Sequence, residues 1–210
     1  MPVKVNEREY RIINAKAMEV REEQDGRKVV EGYATTFNEE YKLWGDARYQ
    51  VLESVDGNAF KDTDMSDVIM QYDHEGRVFA RTSNGTLKLE ADSHGLKITA
   101  DLGGTEQGRQ LYEEIKGGYT TKMSFGFRVK TAERMIEEDE VTGNVTVHRK
   151  ITAIEKLYDV SAVSLPANDA TEISARNIGE GVIADVAEEK RAIEARRRIK
   201  DQIAIMAEMI

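Results

Sequence analysis

The strictest constraint on the fold is an alternation. Between residues 120 and 130, Met123, Phe125, Phe127 and Val129 alternate with Lys122, Ser124, Gly126 and Arg128. A period of two places these sets on opposite faces of one β-strand. The Met/Phe/Val face should fill a core. The other face then carries Ser124 as an exposed hydroxyl, and Gly126 beside it leaves room for another backbone to approach. A serine on a solvated strand face usually has no chemical role, so any chemistry here needs partner residues.

The surroundings of this strand also read as strands. Segments 10–19 and 28–37 are rich in β-branched and apolar residues, with Asp25-Gly26 as a turn between them. Residues 68–72 form a short apolar run. Segments 77–81, 86–90 and 96–102 follow as a meander, turned by Asn84-Gly85 and His94-Gly95. One helix interrupts the series: Thr105 caps it, Leu111 and Ile115 share a face, and Gly117-Gly118 ends it. Residues 137–144 form an acidic hairpin tip, and 148–154 and 157–165 are the last core strands, stopped by Pro166. The class is therefore α+β. Three regions are expected: a core over 1–167, a polar connector over 168–181, and a helical tail over 182–210. Val186, Ile193, Ile199, Ile203, Met206 and Ile210 give the tail an apolar stripe that wants a partner, whether the core, a second copy or another protein.

Composition narrows the chemistry. The chain has 210 residues, 40% hydrophobic and 33% charged, enough for one globular core with length to spare. It has no cysteine, which removes disulfides, thiolate zinc sites and a cysteine nucleophile. The net charge of -9 lacks the basic footprint of a nucleic-acid binder. The basic run Arg196-Arg197-Arg198-Ile199-Lys200 reads as a solvated helix face. No apolar run reaches membrane-spanning length, and the first residues carry no apolar signal region.

Ser124 needs a base to take its proton, and three histidines are on offer. His94 lies in a turn, and His148 lies among charges near a strand start. His74 ends the apolar 68–72 run ahead of Gly76, a good place from which to face a site. Asp159 stands in an otherwise apolar strand, where a carboxylate demands a partner. That partner is either a histidine imidazole or a structural arginine or lysine. His74-Glu75 opens like a zinc-protease motif, but Val78 stands where the second histidine belongs. Gly103-Gly104-Thr105 lacks the lysine and spacing of a phosphate loop.

Taken in order, several segments resemble the tailed-phage prohead protease family, whose fold is related to the herpesvirus assemblins. They are 31–37, Ala59-Phe60 followed by 68–74, 94–102 followed by the helix of 105–118, Met123-Ser124-Phe125-Gly126-Phe127, and 159–167. The resemblance implies a mainly antiparallel β-barrel core with flanking helices and a C-terminal helix. It implies a serine endopeptidase with Ser124 as nucleophile, His74 as general base and Asp159 as third member. The family more often carries glutamate at that third position, and His148 is the rival, because the assemblins use a second histidine. The implied substrates are capsid or scaffold segments and the enzyme's own chain, cleaved in the host cytoplasm inside the immature capsid. No cofactor, nucleic acid or membrane is called for, and a homo-oligomer through the tail helix is an open expectation. The substrate is expected to pair, extended, with a strand edge near Ser124. Two rival readings remain: an inactive structural barrel of the procapsid, and a peptide-binding module that does not cleave. Convergence of Ser124 and His74 separates the first rival from the protease, and turnover separates the second.

Overall fold

A computed structural model describes residues 8–13, 18–164 and 169–208, with the side chains of 13, 169–174 and 204–208 excepted. Among the described residues, eleven strands and two α-helices follow one another. They are β1 (Glu9–Ile13), β2 (Glu19–Glu22), β3 (Lys28–Thr36), β4 (Tyr41–Gly45), β5 (Tyr49–Val55), β6 (Ile69–Tyr72), β7 (Glu75–Arg81), β8 (Leu87–Ala91), β9 (Gly95–Asp101), α1 (Glu106–Lys116), β10 (Lys122–Glu138), β11 (Val145–Val163) and α2 (Asp169–Glu208). The helix cap reads as expected, since Thr105 Oγ1 accepts from Gly108 N at 2.9 Å. Among the described residues, no helix is long and apolar enough to cross a membrane.

The strands form two open sheets rather than a barrel. The larger runs β1-β10-β11-β5-β4, and β6 and β7 extend it beside the second half of β11. The smaller runs β2-β3-β9-β8. The expected meander is split between them. A 3₁₀ turn at Thr82–Asn84, closed by Gly85 at φ 78°, leads from β7 in one sheet to β8 in the other. Asn84-Gly85 is therefore a crossover, not a hairpin tip. Pairing is also less uniformly antiparallel than expected, because β11 runs parallel to both β5 and β6.

The inner faces of the two sheets meet over one core. Phe125, Phe127, Val160, Met70 and Ile154 of the large sheet pack with Val30, Leu96, Ile98 and Ala100 of the small one. Leu111, Tyr112 and Ile115 of α1 close one side. β10 and β11 each run unbroken where shorter strands were expected. Four register shifts, from Gly126/Phe127 to Thr131/Ala132, interrupt the pairing, and such bulges bend a strand and increase its twist.

β4 and β5 were not foreseen. Glu53 of β5 sits fully buried between Arg11 and Arg149, and Tyr41 Oη donates to it at 2.6 Å. A charged residue in the middle of a strand reads as surface unless its partners, distant in sequence, are known.

The segment read as a connector is helical from Asp169, and α2 runs on without a break. The segment's polar composition suggested a connector, but Gly179 within it serves close packing: a Cβ there would lie 2.4 Å from Trp44 Cβ. Ile178, Val182 and Val186 cover Leu43, Val51, Val145 and Val147 as a second core. Past Lys190 the helix leaves the body, and Ile193, Ile199 and Ile203 are exposed. The side chains of Met206 and Ile210, and the segments 14–17 and 165–168, lie outside the described residues.

Candidate active site

The site grows out of cross-strand register. β10 pairs with β11 so that Ser124 faces Ser161 and Gly126 faces Asp159. Asp159 in turn sits beside Ile69 at the start of β6. β6 returns into β7 through a two-residue turn, Asp73-His74, with Tyr72 paired to Glu75. Both turn residues are left-handed, at φ 48° and 63°, the geometry of the tight hairpin turn that suits strand twist. Neither is glycine or asparagine, so the surroundings must hold the turn. Asp73 N donates to Ala162 O at 3.0 Å, and Ser164 donates to the Asp73 carboxylate through N at 3.1 Å and Oγ at 3.0 Å. This clamp hangs the hairpin tip on the end of β11, with His74 leaning over Asp159.

Three groups from distant parts of the chain meet there. His74 Nε2 lies 2.6 Å from Ser124 Oγ, and His74 Nδ1 lies 2.5 Å from Asp159 Oδ1. Asp159 holds its carboxyl below the usual range. Burial pushes it up, but the hydrogen bond and charge of His74, followed by the Arg8 guanidinium, push it down further. An ionised carboxylate only accepts, so Nδ1 carries the proton and Nε2 is left to receive one from Ser124. That tautomer is the one a serine nucleophile needs. Ser161 Oγ adds a second donor to Asp159 Oδ1 at 3.0 Å.

Two sequence expectations are corrected. Ser124 is not an exposed hydroxyl: it is fully buried, as are Asp159 and Ser161. Gly126 does not make room for a substrate backbone. A Cβ there would stand 2.3 Å from Asp159 Oδ2 and 2.9 Å from Arg8 Nε, so the space belongs to the acid and its arginine. The strand edges beside Ser124 are also filled. β11 pairs along one side of β10 and β1 along the other, with Ile12 opposite Ser124. Among the described strands, the free edges of the large sheet near the site are those of β1 and β7.

The remaining histidines lie elsewhere. His148, near the start of β11, bonds Glu40 at 2.8 Å, and that hydrogen bond raises its pKa. His94 stacks edge-on against Tyr33 in its turn. Sequence reasoning missed Arg8 and Tyr10. Arg8 bonds Asp159 Oδ2, and Tyr10 packs edge-on against His74 with ring centres 4.5 Å apart. The only signal was two aromatic or basic residues at the start of a strand whose pairing was unknown.

Among solved structures, the chain is similar to the capsid assembly protease of bacteriophage T4. The two are 11% identical, with a TM-score of 0.39, over 75% of this chain and 99% of that one. No curated protein matches the chain. A family model described as caudovirus prohead serine protease matches residues 16–182. That match spans most of the chain and both sheets from β2 onward, and the chain belongs to the caudovirus prohead serine protease family.

Proposed function

We propose that the protein is the serine endopeptidase of phage capsid maturation, with Ser124 as nucleophile, His74 as general base and acid, and Asp159 as the residue that orients His74. The observation that carries this reading is the unbroken chain Ser124 Oγ–His74 Nε2 and His74 Nδ1–Asp159 Oδ1, at 2.6 Å and 2.5 Å. Its members are 50 and 85 residues apart in sequence, so local structure does not explain the meeting. A structural role for Asp159 alone would need Arg8 but not His74.

In the proposed reaction His74 takes the Ser124 proton as Oγ attacks a peptide carbonyl. The imidazolium, steadied by Asp159, then gives that proton to the leaving amine. Water releases the acyl group by the same path. Ser124 has no exposed surface, so a peptide reaches it only after a covering segment shifts. The free edges of β1 and β7 are the surfaces on which an extended substrate can add a strand.

The substrates proposed are capsid or scaffold segments, and the enzyme itself, inside the immature shell. Ile199 and Ile203 of α2 are exposed and one helical turn apart, on one face, and Ile193 is exposed about a quarter to a third of the way round; these apolar side chains on the projecting half suit attachment of the protease to that shell. Ending the chain after Glu189 should leave the folded body intact and abolish packaging. Normal packaging of that shortened chain would refute the attachment role. For the protease itself, the test is co-expression with the capsid protein of the same phage, followed by intact-mass measurement. Wild type should shorten the capsid protein or itself, and Ser124→Ala should leave every chain full length in assembled shells. Trimming by Ser124→Ala would refute the reading.

A further inference from the structure

We infer that Arg8 is a positioning residue of the Ser124–His74–Asp159 chain, pinning the Asp159 carboxylate and setting the pH range in which Ser124 is activated. This rests on the proposed function and adds a residue to it. Arg8 precedes the residues that the family model matches.

Asp159 divides its two oxygens. Oδ1 takes His74 and Ser161, while Oδ2 points away from both and takes Arg8. The carboxylate is fully buried, and an unpaired anionic oxygen there would be costly. Arg8 is itself built in. Its guanidinium lies between the rings of Tyr10 and Tyr158, at 5.0 and 4.9 Å from their centres. Tyr10 reaches on to the His74 ring. Gly126 is the residue that lets carboxylate and guanidinium meet, since any Cβ would strike both. The same arginine therefore fixes the rotation of the acid and, through Tyr10, one side of the base.

Charge gives the second consequence. The negative charge of Asp159 favours the imidazolium form of His74, and the positive charge of Arg8 opposes it. Removing the arginine takes that opposing charge away. Other groups around this pair come from each neighbouring element. Asp73 and Glu75 flank His74 on the hairpin, Tyr10 lies on β1, and Gln71 of β6 is uncharged. Arg128 of β10 and Lys156 of β11 stand over the Tyr158 ring at 5.8 and 5.7 Å. Among the described residues, Arg8 is the lysine or arginine that bonds Asp159. Its side chain is 34% exposed, which moderates its field without cancelling it.

The test uses assembled shells and a fluorophosphonate probe, whose rate of attachment to Ser124 is followed by mass between about pH 5 and pH 9. Arg8→Met should slow attachment at least about ten-fold and move the acid limb of the profile up by at least about half a pH unit. Arg8→Lys should keep the limb near its wild-type position, because the charge remains, while still reacting slowly, because the planar guanidinium that aims Nη2 at Oδ2 is lost. Two results would overturn the inference. One is an Arg8→Met profile that coincides with wild type. The other is a slower rate with an unmoved limb and a lowered melting temperature, which marks a merely structural residue. If wild-type Ser124 takes up no probe in shells that are being processed, the proposed function fails before Arg8 is at issue.

Discussion

Each residue of the site has a separable consequence. Asp159→Asn keeps the side-chain shape but offers His74 Nδ1 an amide in place of a carboxylate. The tautomer is no longer enforced and the imidazolium loses its counter-charge, so processing should fall by about four orders of magnitude with the fold retained. Near-wild-type processing by Asp159→Asn would show that the third role lies elsewhere. Gly126→Ala is a sharper probe of geometry. Its methyl would enter the space held by Asp159 Oδ2 and Arg8, parting that pair and tilting His74. Activity should be lost even in preparations that melt cooperatively, as seen by comparing calorimetry with capsid processing. Ser124, His74 and Asp159 were legible as candidates, each weakly: a hydroxyl on the polar face of an alternating strand, a histidine at a strand end ahead of a glycine, and a carboxylate in an otherwise apolar strand; the family resemblance joined them. Arg8 broke no pattern. An arginine near a strand start is ordinary, and only the pairing of β1 with β10 brings it to Asp159.

At the scale of elements, the hairpin β6–β7 delivers His74 to the site. It presents His74 from a turn with two left-handed residues, each costing on the order of 1–2 kcal/mol. The bonds from Ser164 and to Ala162 offset that strain. Asp73→Ala should therefore slow processing about ten-fold, through a small displacement of the imidazole. Asp73→Asn should restore most of the rate, because asparagine accepts the left-handed turn and still bonds Ser164. Equal loss in both variants would point to the charge of Asp73 instead. The elements themselves were readable wherever alternation or caps were local: β3, β6, β9 and α1 lie within a residue or two of their expected bounds. Sheet membership was not. β7 and β8 look like neighbours in sequence, and only the 3₁₀ turn between them decides that they join different sheets. The start of α2 was missed because the segment is polar in composition, while what holds it, such as the contact of Gly179 with Trp44, is tertiary.

The whole molecule is held by a continuous core and a buried ion cluster beside it. Arg11 and Arg149 hold Glu53 down from the ordinary 4.5 to about 2, against the upward push of burial. A depressed carboxylate stabilises the fold above its unfolded pKa, and that stability is lost as pH falls through the folded value. The contribution of Glu53 to stability should therefore begin to fall as pH drops below about 4.5 and be largely gone near pH 2, which acid titration of the melting temperature in wild type beside Glu53→Gln checks. Glu53→Ala should lower stability by about 3–5 kcal/mol by leaving two arginines buried without their partner. Stability should also be uneven along α2. Ile178→Ala, which opens the second core, should cost about 2–4 kcal/mol, and Ile199→Ala, on the projecting half, should stay within about 0.5 kcal/mol. That division, a docked half and a projecting half, is compatible with the attachment to the shell proposed for the tail.

The central claim is that Ser124 is the nucleophile of capsid processing. Shells in which wild-type processing is under way should be treated with the fluorophosphonate probe and the modified residue mapped by peptide mass. The account predicts one adduct, on Ser124, with processing stopping in proportion to its occupancy. Processing that stops while Ser124 stays unmodified, or that continues with Ser124 fully modified, would contradict it.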